Sequence, residues 1–344
     1  MILALLGCPA APEAQDLGTI TTDGDGLASV KFTVPDNGTS ALAYCGSYGY
    51  DVLGTANEIT SPDGASVYSY DAGGDGLRVG TFDDTLPVLV PMSPRMDVSA
   101  GDWTLQILTD TPNVTMDCSA IFRVEGAASS PVLDVDFVFV GVSEVNASSA
   151  KDDSSMQAAV AAMEDRWSDI GLTLGNVSYE DFGGDVDAYA TVDGYTEFGD
   201  LLKTAADGPT LTYFFVQDIL LDGDQVLGLA AGPPGLASVG GTSKSGVIVS
   251  TVAWDTPDEI GHILAHEGGH FFGLFHTVEK DGAAEDLLDD TPVCSADSDG
   301  NGTLNTDECA GSGAENVMWW TYSDGAVEMS DDQGWVIDRS VAVQ

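Results

Sequence analysis

The sequence predicts an α+β chain in two parts: an all-β sandwich or jelly roll over residues 18–126, then an α+β part over residues 131–344. Three observations predict it. In the first part, short runs of alternating apolar residues are separated by Gly, Asp, Pro and Ser turns, the pattern of strands with one wet face. In the second, apolar runs of buried-strand length alternate with stretches of helical period. Late in that second part, residues 266–276 hold three of the four histidines in the chain. With 344 residues and 43% of them hydrophobic, the chain suits two domains with two cores.

Taken in order, residues 1–17 open with an apolar run in which Leu5-Leu6-Gly7-Cys8 resembles a bacterial lipobox. That resemblance implies a cleaved signal, lipidation of Cys8 and a polar tether through about Asp16. Strands are expected at 28–34, 66–70, 77–82, 103–108 and 121–124, and residues 126–131 read as a linker. Beyond it, 132–142 reads as a buried strand and 156–170 as an amphipathic helix. Residues 172–179, 211–217 and 246–251 read as strands, and 329–343 as a short C-terminal helix. No solenoid repeat is visible. No other segment approaches the ~20 apolar residues of a membrane span.

The helix around the histidines announces its start. Thr256 is the expected N-cap, Pro257 takes the first helical position and Glu259 completes a capping box. Ile260, Ile263 and Leu264 supply an apolar stripe. Residues 266–276 then read His-Glu-Gly-Gly-His-Phe-Phe-Gly-Leu-Phe-His, the pattern H-E-x-x-H-x-x-G-x-x-H. His266 and His270, four apart, project from one helix face toward a single ion. Gly273 lets the chain leave the helix at φ > 0, which brings His276 round as a third nitrogen ligand. Three protein ligands leave a fourth position open, as in a catalytic zinc site. Glu267 stands beside the first ligand, where it can act on a water as general base. His262, one turn earlier, falls outside this set. It is read as a helix-surface residue, with support of a ligand as the alternative.

On these residues the second part resembles the metzincin metallopeptidases. Within them it is similar to the pappalysin-type group, through residues 270–277 and Asp289-Asp290-Thr291-Pro292. The resemblance covers roughly residues 131–344 and implies a metzincin-like α+β domain with a zinc ion on His266, His270 and His276. It further implies peptide-bond hydrolysis with Glu267 as general base. Met318, in Asn316-Val317-Met318-Trp319-Trp320, would be the methionine of the turn beneath the metal. Many metzincins carry tyrosine two residues after that methionine. Here Trp320 stands there and Tyr322 lies two further on, so Tyr322 is the candidate oxyanion stabiliser.

Composition bounds the partners. Ten Lys and Arg face 56 Asp and Glu, a formal charge of −46. Such a surface repels nucleic acid and anionic lipid. It suits solvation in a salt-rich habitat, or calcium binding. Residues 297–308 follow the EF-hand loop pattern, with Asp297, Asp299 and Asn301 at positions 1, 3 and 5, Gly302 at position 6 and Asn305 at position 9, acting through water. The Thr303 carbonyl is expected at position 7 and Glu308 at position 12. Asp23-Gly24-Asp25-Gly26 and Asp222-Gly223-Asp224 read as ordinary turns. With Cys8 lipidated, four cysteines remain and permit three pairings, of which pairing within halves, Cys45–Cys118 and Cys294–Cys309, is the simple solution. Together these features lead us to expect a monomeric zinc endopeptidase that is secreted, or anchored by lipid at the cell surface or outer membrane. Calcium is its second ion and a protein or peptide its substrate. The competing expectation is a calcium-dependent surface-binding lipoprotein on an inactive peptidase scaffold, against which the intact Glu267 counts.

Overall fold

The computed structural model describes residues 13–125, 131–283, 285–295 and 297–344. Cys8 lies outside the described residues, as does most of the expected linker. The first half folds into strands β1 (Glu13–Thr21), β2 (Leu27–Val34), β3 (Gly38–Gly46), β4 (Leu53–Thr60), β5 (Ser66–Ser69), β6 (Phe82–Asp83), β7 (Thr85–Val90), β8 (Gly101–Thr109) and β9 (Thr115–Val124). They form two antiparallel sheets of order β1-β9-β3-β7 and β2-β8-β4-β5, with β6 paired to β4. The sheets meet face to face. Phe32 of β2 stacks on Trp103 of β8 in its own sheet and reaches Phe122 of β9 in the other. Cys45 and Cys118 sit directly opposite in β3 and β9 and are disulfide-bonded.

Two expectations change here. Residues 13–17 are not tether but the start of β1, an edge strand that half-buries Gln15, Leu17 and Ile20 and is held by its backbone ladder to β9 and by the Thr33 N–H on Gln15. Residues 77–82 are largely without strand. Leu77 is buried, but the stretch makes no ladder before β6.

The second half contains β10 (Val132–Phe139), α1 (Ser154–Ser168), β11 (Thr173–Asp181), α2 (Val186–Tyr189), β12 (Thr191–Asp193), α3 (Tyr195–Leu202), β13 (Thr210–Val216), β14 (Asp218–Leu221), β15 (Asp224–Gln225), β16 (Gly228–Ala230), β17 (Val247–Ser250), α4 (Pro257–Phe272) and α5 (Asp331–Asp338). Its main sheet has the order β11-β10-β13-β17-β16, parallel except for the edge strand β16. Strands buried on both faces read as continuous apolar runs, which is why β13 and β17 are visible in sequence, whereas β10 alternates, with Asp134 and Asp136 on its wetter face. A small sheet, β12-β14-β15, packs with α3 over a separate apolar cluster around Phe198, Leu201 and Phe214. Helices α1 and α4 lie against each other, and the buried Arg166 of α1 grips Asp258, in the first turn of α4, through both carboxylate oxygens. Thr256 is the N-cap of α4, but its hydroxyl turns to the Glu259 carboxylate and the Ala253 carbonyl instead of capping an amide.

Candidate metal centre

Helix α4 carries His266, Glu267 and His270, and its end is set by Gly273, whose φ of 111° is left-handed. The chain then turns back and places His276 against the helix. The ligand-capable atoms of the three histidines lie within 4.8 Å of one another. Each imidazole is held from behind through Nδ1. His266 Nδ1 lies 2.8 Å from the Val317 carbonyl, His270 Nδ1 2.8 Å from the Leu274 carbonyl, and His276 Nδ1 3.0 Å from Glu279 Oε2. All three partners are acceptors, so each Nδ1 carries the proton and each Nε2 presents a lone pair. His270 Nε2 and His276 Nε2 are 3.1 Å apart. Two unprotonated nitrogens at that distance repel unless a cation lies between them. The donor set therefore fits a metal ion held by three neutral imidazoles.

The electrostatics agree. Burial, reinforced by the neighbouring imidazoles, drives His266 well below the ordinary histidine range and His270 down to about 3. Burial pushes the Glu267 carboxyl up to about 8, opposed by a hydrogen bond from the Ala230 N–H of β16. Glu279 is held low, first by its bond to His276.

The floor of the site is residues 316–318. Met318 is fully buried, and a Cβ added to Gly269 would fall on its sulfur. A Cβ on Gly268 would meet the Tyr213 hydroxyl and the Trp167 ring. The two glycines between the motif histidines thus let α4 sit directly on its supports. Asn316 is locked by a pair of 3.0 Å hydrogen bonds with Gln333 of α5, and its side-chain oxygen also accepts from Met318 N–H at 2.8 Å. Sequence reasoning missed Glu279, Tyr213, Asn316 and Gln333. Only Glu279, an acid three residues beyond a ligand, left a readable sign.

His262 is not a surface residue. It is 2% exposed, with Nδ1 3.3 Å from the Ala326 carbonyl and its ring edge-on to Tyr322. Burial first, then the Arg166 charge, lower it to about 4, so it is neutral. It was misread because α4 is covered on that side by the chain after Met318. Tyr322 donates its hydroxyl to Asp324 at 2.8 Å, and Trp320 donates Nε1 to the Leu304 carbonyl at 3.0 Å.

In the loop that follows, Cys294 and Cys309 are disulfide-bonded. Carboxylate oxygens of Asp297, Asp299 and Glu308 gather within 4.8 Å of one another. They are also engaged locally: Asp297 accepts from Gly300, Asn301 and Gly302 N–H, and Glu308 from Ser298 and Asn305. The Asn301 amide oxygen accepts from Thr303 N–H at 2.7 Å. The Asp23 and Asp222 segments form turns, as expected.

Neither a protein-family model nor a curated protein matches this chain. Among solved structures, archaemetzincin from Methanopyrus kandleri matches 43% of this chain and 78% of its own, at 17% identity and a TM-score of 0.30. Metalloproteinase-II from Bacteroides fragilis matches 66% of this chain and 62% of its own, at 13% identity and a TM-score of 0.35. The structural neighbours of this chain thus include two metallopeptidases, both at low identity.

Proposed function

We propose that this protein is a zinc-dependent endopeptidase with a metzincin-like catalytic part of pappalysin type over residues 131–344 and an accessory part, a β-sandwich or jelly roll, over residues 13–125. One observation carries the reading: three neutral imidazoles turn unprotonated Nε2 atoms toward one point, beside a half-buried carboxylate. Bound there by His266, His270 and His276, zinc supplies Lewis acidity toward water and toward a peptide carbonyl. Glu267 accepts the proton of the attacking water and returns it to the nitrogen of the leaving amine. Met318, packed under Gly269 between the two helix ligands, takes the role of the turn methionine. Beside them, β16 is the edge strand of the main sheet, where an extended substrate can add as a further strand.

Two disulfides support folding in an oxidising compartment, and no helix among the described residues is long and apolar enough to cross a membrane. We place the protein outside the cytoplasm, attached through Cys8. We place calcium at Asp297, Asp299, Asn301, Thr303 and Glu308, on the strength of the gathered carboxylates. The central test is Glu267→Gln. It should keep zinc, by metal analysis, and lower casein cleavage by about 10²–10⁴-fold. Cleavage at the wild-type rate would remove Glu267 from the mechanism, and freshly purified protein without zinc would remove the metal centre.

A further inference from the structure

We infer that the cavity beside Glu267 receives the substrate side chain next to the scissile bond, and that His262 Nε2 makes it prefer side chains ending in an N–H or O–H donor. The inference rests on the peptidase reading above. The cavity measures about 260 Å³ and runs along α4 from Glu267 to His262, between Val226, Ile263, Trp320 and Tyr322. A bond held at Glu267 therefore places a neighbouring side chain in it.

The walls mix apolar and aromatic groups with polar ones, Thr321, His266 and Glu267 among them, and the polar hydrogens of the two aromatic walls point elsewhere. Trp320 Nε1–H goes to the Leu304 carbonyl and the Tyr322 hydroxyl to Asp324. His262 is different. A carbonyl only accepts, so the contact with Ala326 O puts the ring proton on Nδ1 and leaves Nε2 as a lone pair. Among the described residues Nε2 has no protein donor, and the ring lines the cavity. A side chain with a terminal donor satisfies that lone pair. A purely apolar one of the same shape desolvates it without replacement, which disfavours it by about tenfold.

The test uses pairs of peptides that differ at one residue flanking the bond, Tyr against Phe and Gln against Met, on each side in turn. Neutral pairs keep the charge of the chain out of the comparison. We expect kcat/KM to favour Tyr over Phe by about tenfold at one flanking position. In His262→Phe the ratio should fall to near one. In His262→Gln it should return, because the amide NH₂ can meet Ala326 while its oxygen faces the cavity. His262→Leu replaces the phenylalanine variant if that one does not fold. The same pairs are also measured by Kd on Glu267→Gln, which needs no turnover. Cleavage without discrimination, or discrimination that survives in His262→Phe, overturns this inference and leaves the peptidase reading intact. Selective binding to Glu267→Gln with no cleavage by the wild type supports the cavity and overturns the peptidase reading.

Discussion

At the scale of single residues, the site divides into groups that a motif displays and groups that it hides. His266, Glu267, His270, Gly273 and His276 were legible because a helix period and a glycine turn force their geometry from spacing alone. Gly268 and Gly269 were not. Their purpose is the closeness of Tyr213, Trp167 and Met318, which come from β13, α1 and the 316–318 turn. Glycine inside a helix costs about 1 kcal/mol relative to alanine. Here, however, overpacking against Met318 would cost an alanine at 269 about 1–3 kcal/mol, so the glycine is favoured. Glu279, by contrast, is set by a local contact three residues on, 3.0 Å from His276 Nδ1. It orients the third imidazole. Glu279→Ala should lower zinc affinity by about 10–100-fold with little change in fold. A competition titration against a chromophoric chelator checks this, and unchanged affinity would show that His276 is positioned by the backbone alone.

At the scale of elements, legibility followed burial. Strands with one wet face, such as β2 and β8, alternate and were read. Strands β3 and β7 were missed. β7 is buried at every residue and β3 at most of its length, because their sheet packs against the sandwich core on one face and the second half on the other. The 294–309 loop is an element whose pattern was plain and whose ion is a proposal. Its Leu304 carbonyl holds Trp320, and its Leu304 N–H bonds to the Lys280 carbonyl, so loop order reaches the cavity beside Glu267. Three carboxylates this close repel one another without a cation. Calcium should therefore raise the melting temperature and protect the loop from proteolysis, and selective calcium removal should lower activity while zinc stays bound. Asp299→Ala with Glu308→Ala should reproduce the loss. A double variant that melts and binds calcium like the wild type would make the loop a solvated turn.

At the scale of the whole molecule, the charge becomes a statement about how two acidic halves stay together. Of ten Lys and Arg residues, Arg78, Arg95, Arg123, Lys203 and Lys244 reach across between the halves. Second only to Lys244 in burial among these is Arg123. At 9% exposure it meets the carbonyls of Ser340 and Val343 and the carboxylate of Asp338. Apolar contact continues the seam, with Leu89 and Met92 of the first half beside Gly273, at the end of α4. None of this was legible, since composition counts cations without saying where they gather. Exposed ion pairs contribute about 0–1 kcal/mol each. The remaining charge of −46 acts against compactness over the entire surface. Repulsion between exposed charges is also what salt screens best, with a Debye length of about 10 Å at 0.1 M and about 3 Å at 1 M, whereas partly buried pairs such as Lys244–Asp83 are screened much less. Self-repulsion should therefore win the comparison. Adding sodium chloride at fixed calcium and zinc should raise the melting temperature by several degrees and keep a single transition. A melting temperature that falls with salt, or a transition that splits in two, would mean that the exposed pairs of the seam hold the halves together and that apolar contact between them does not.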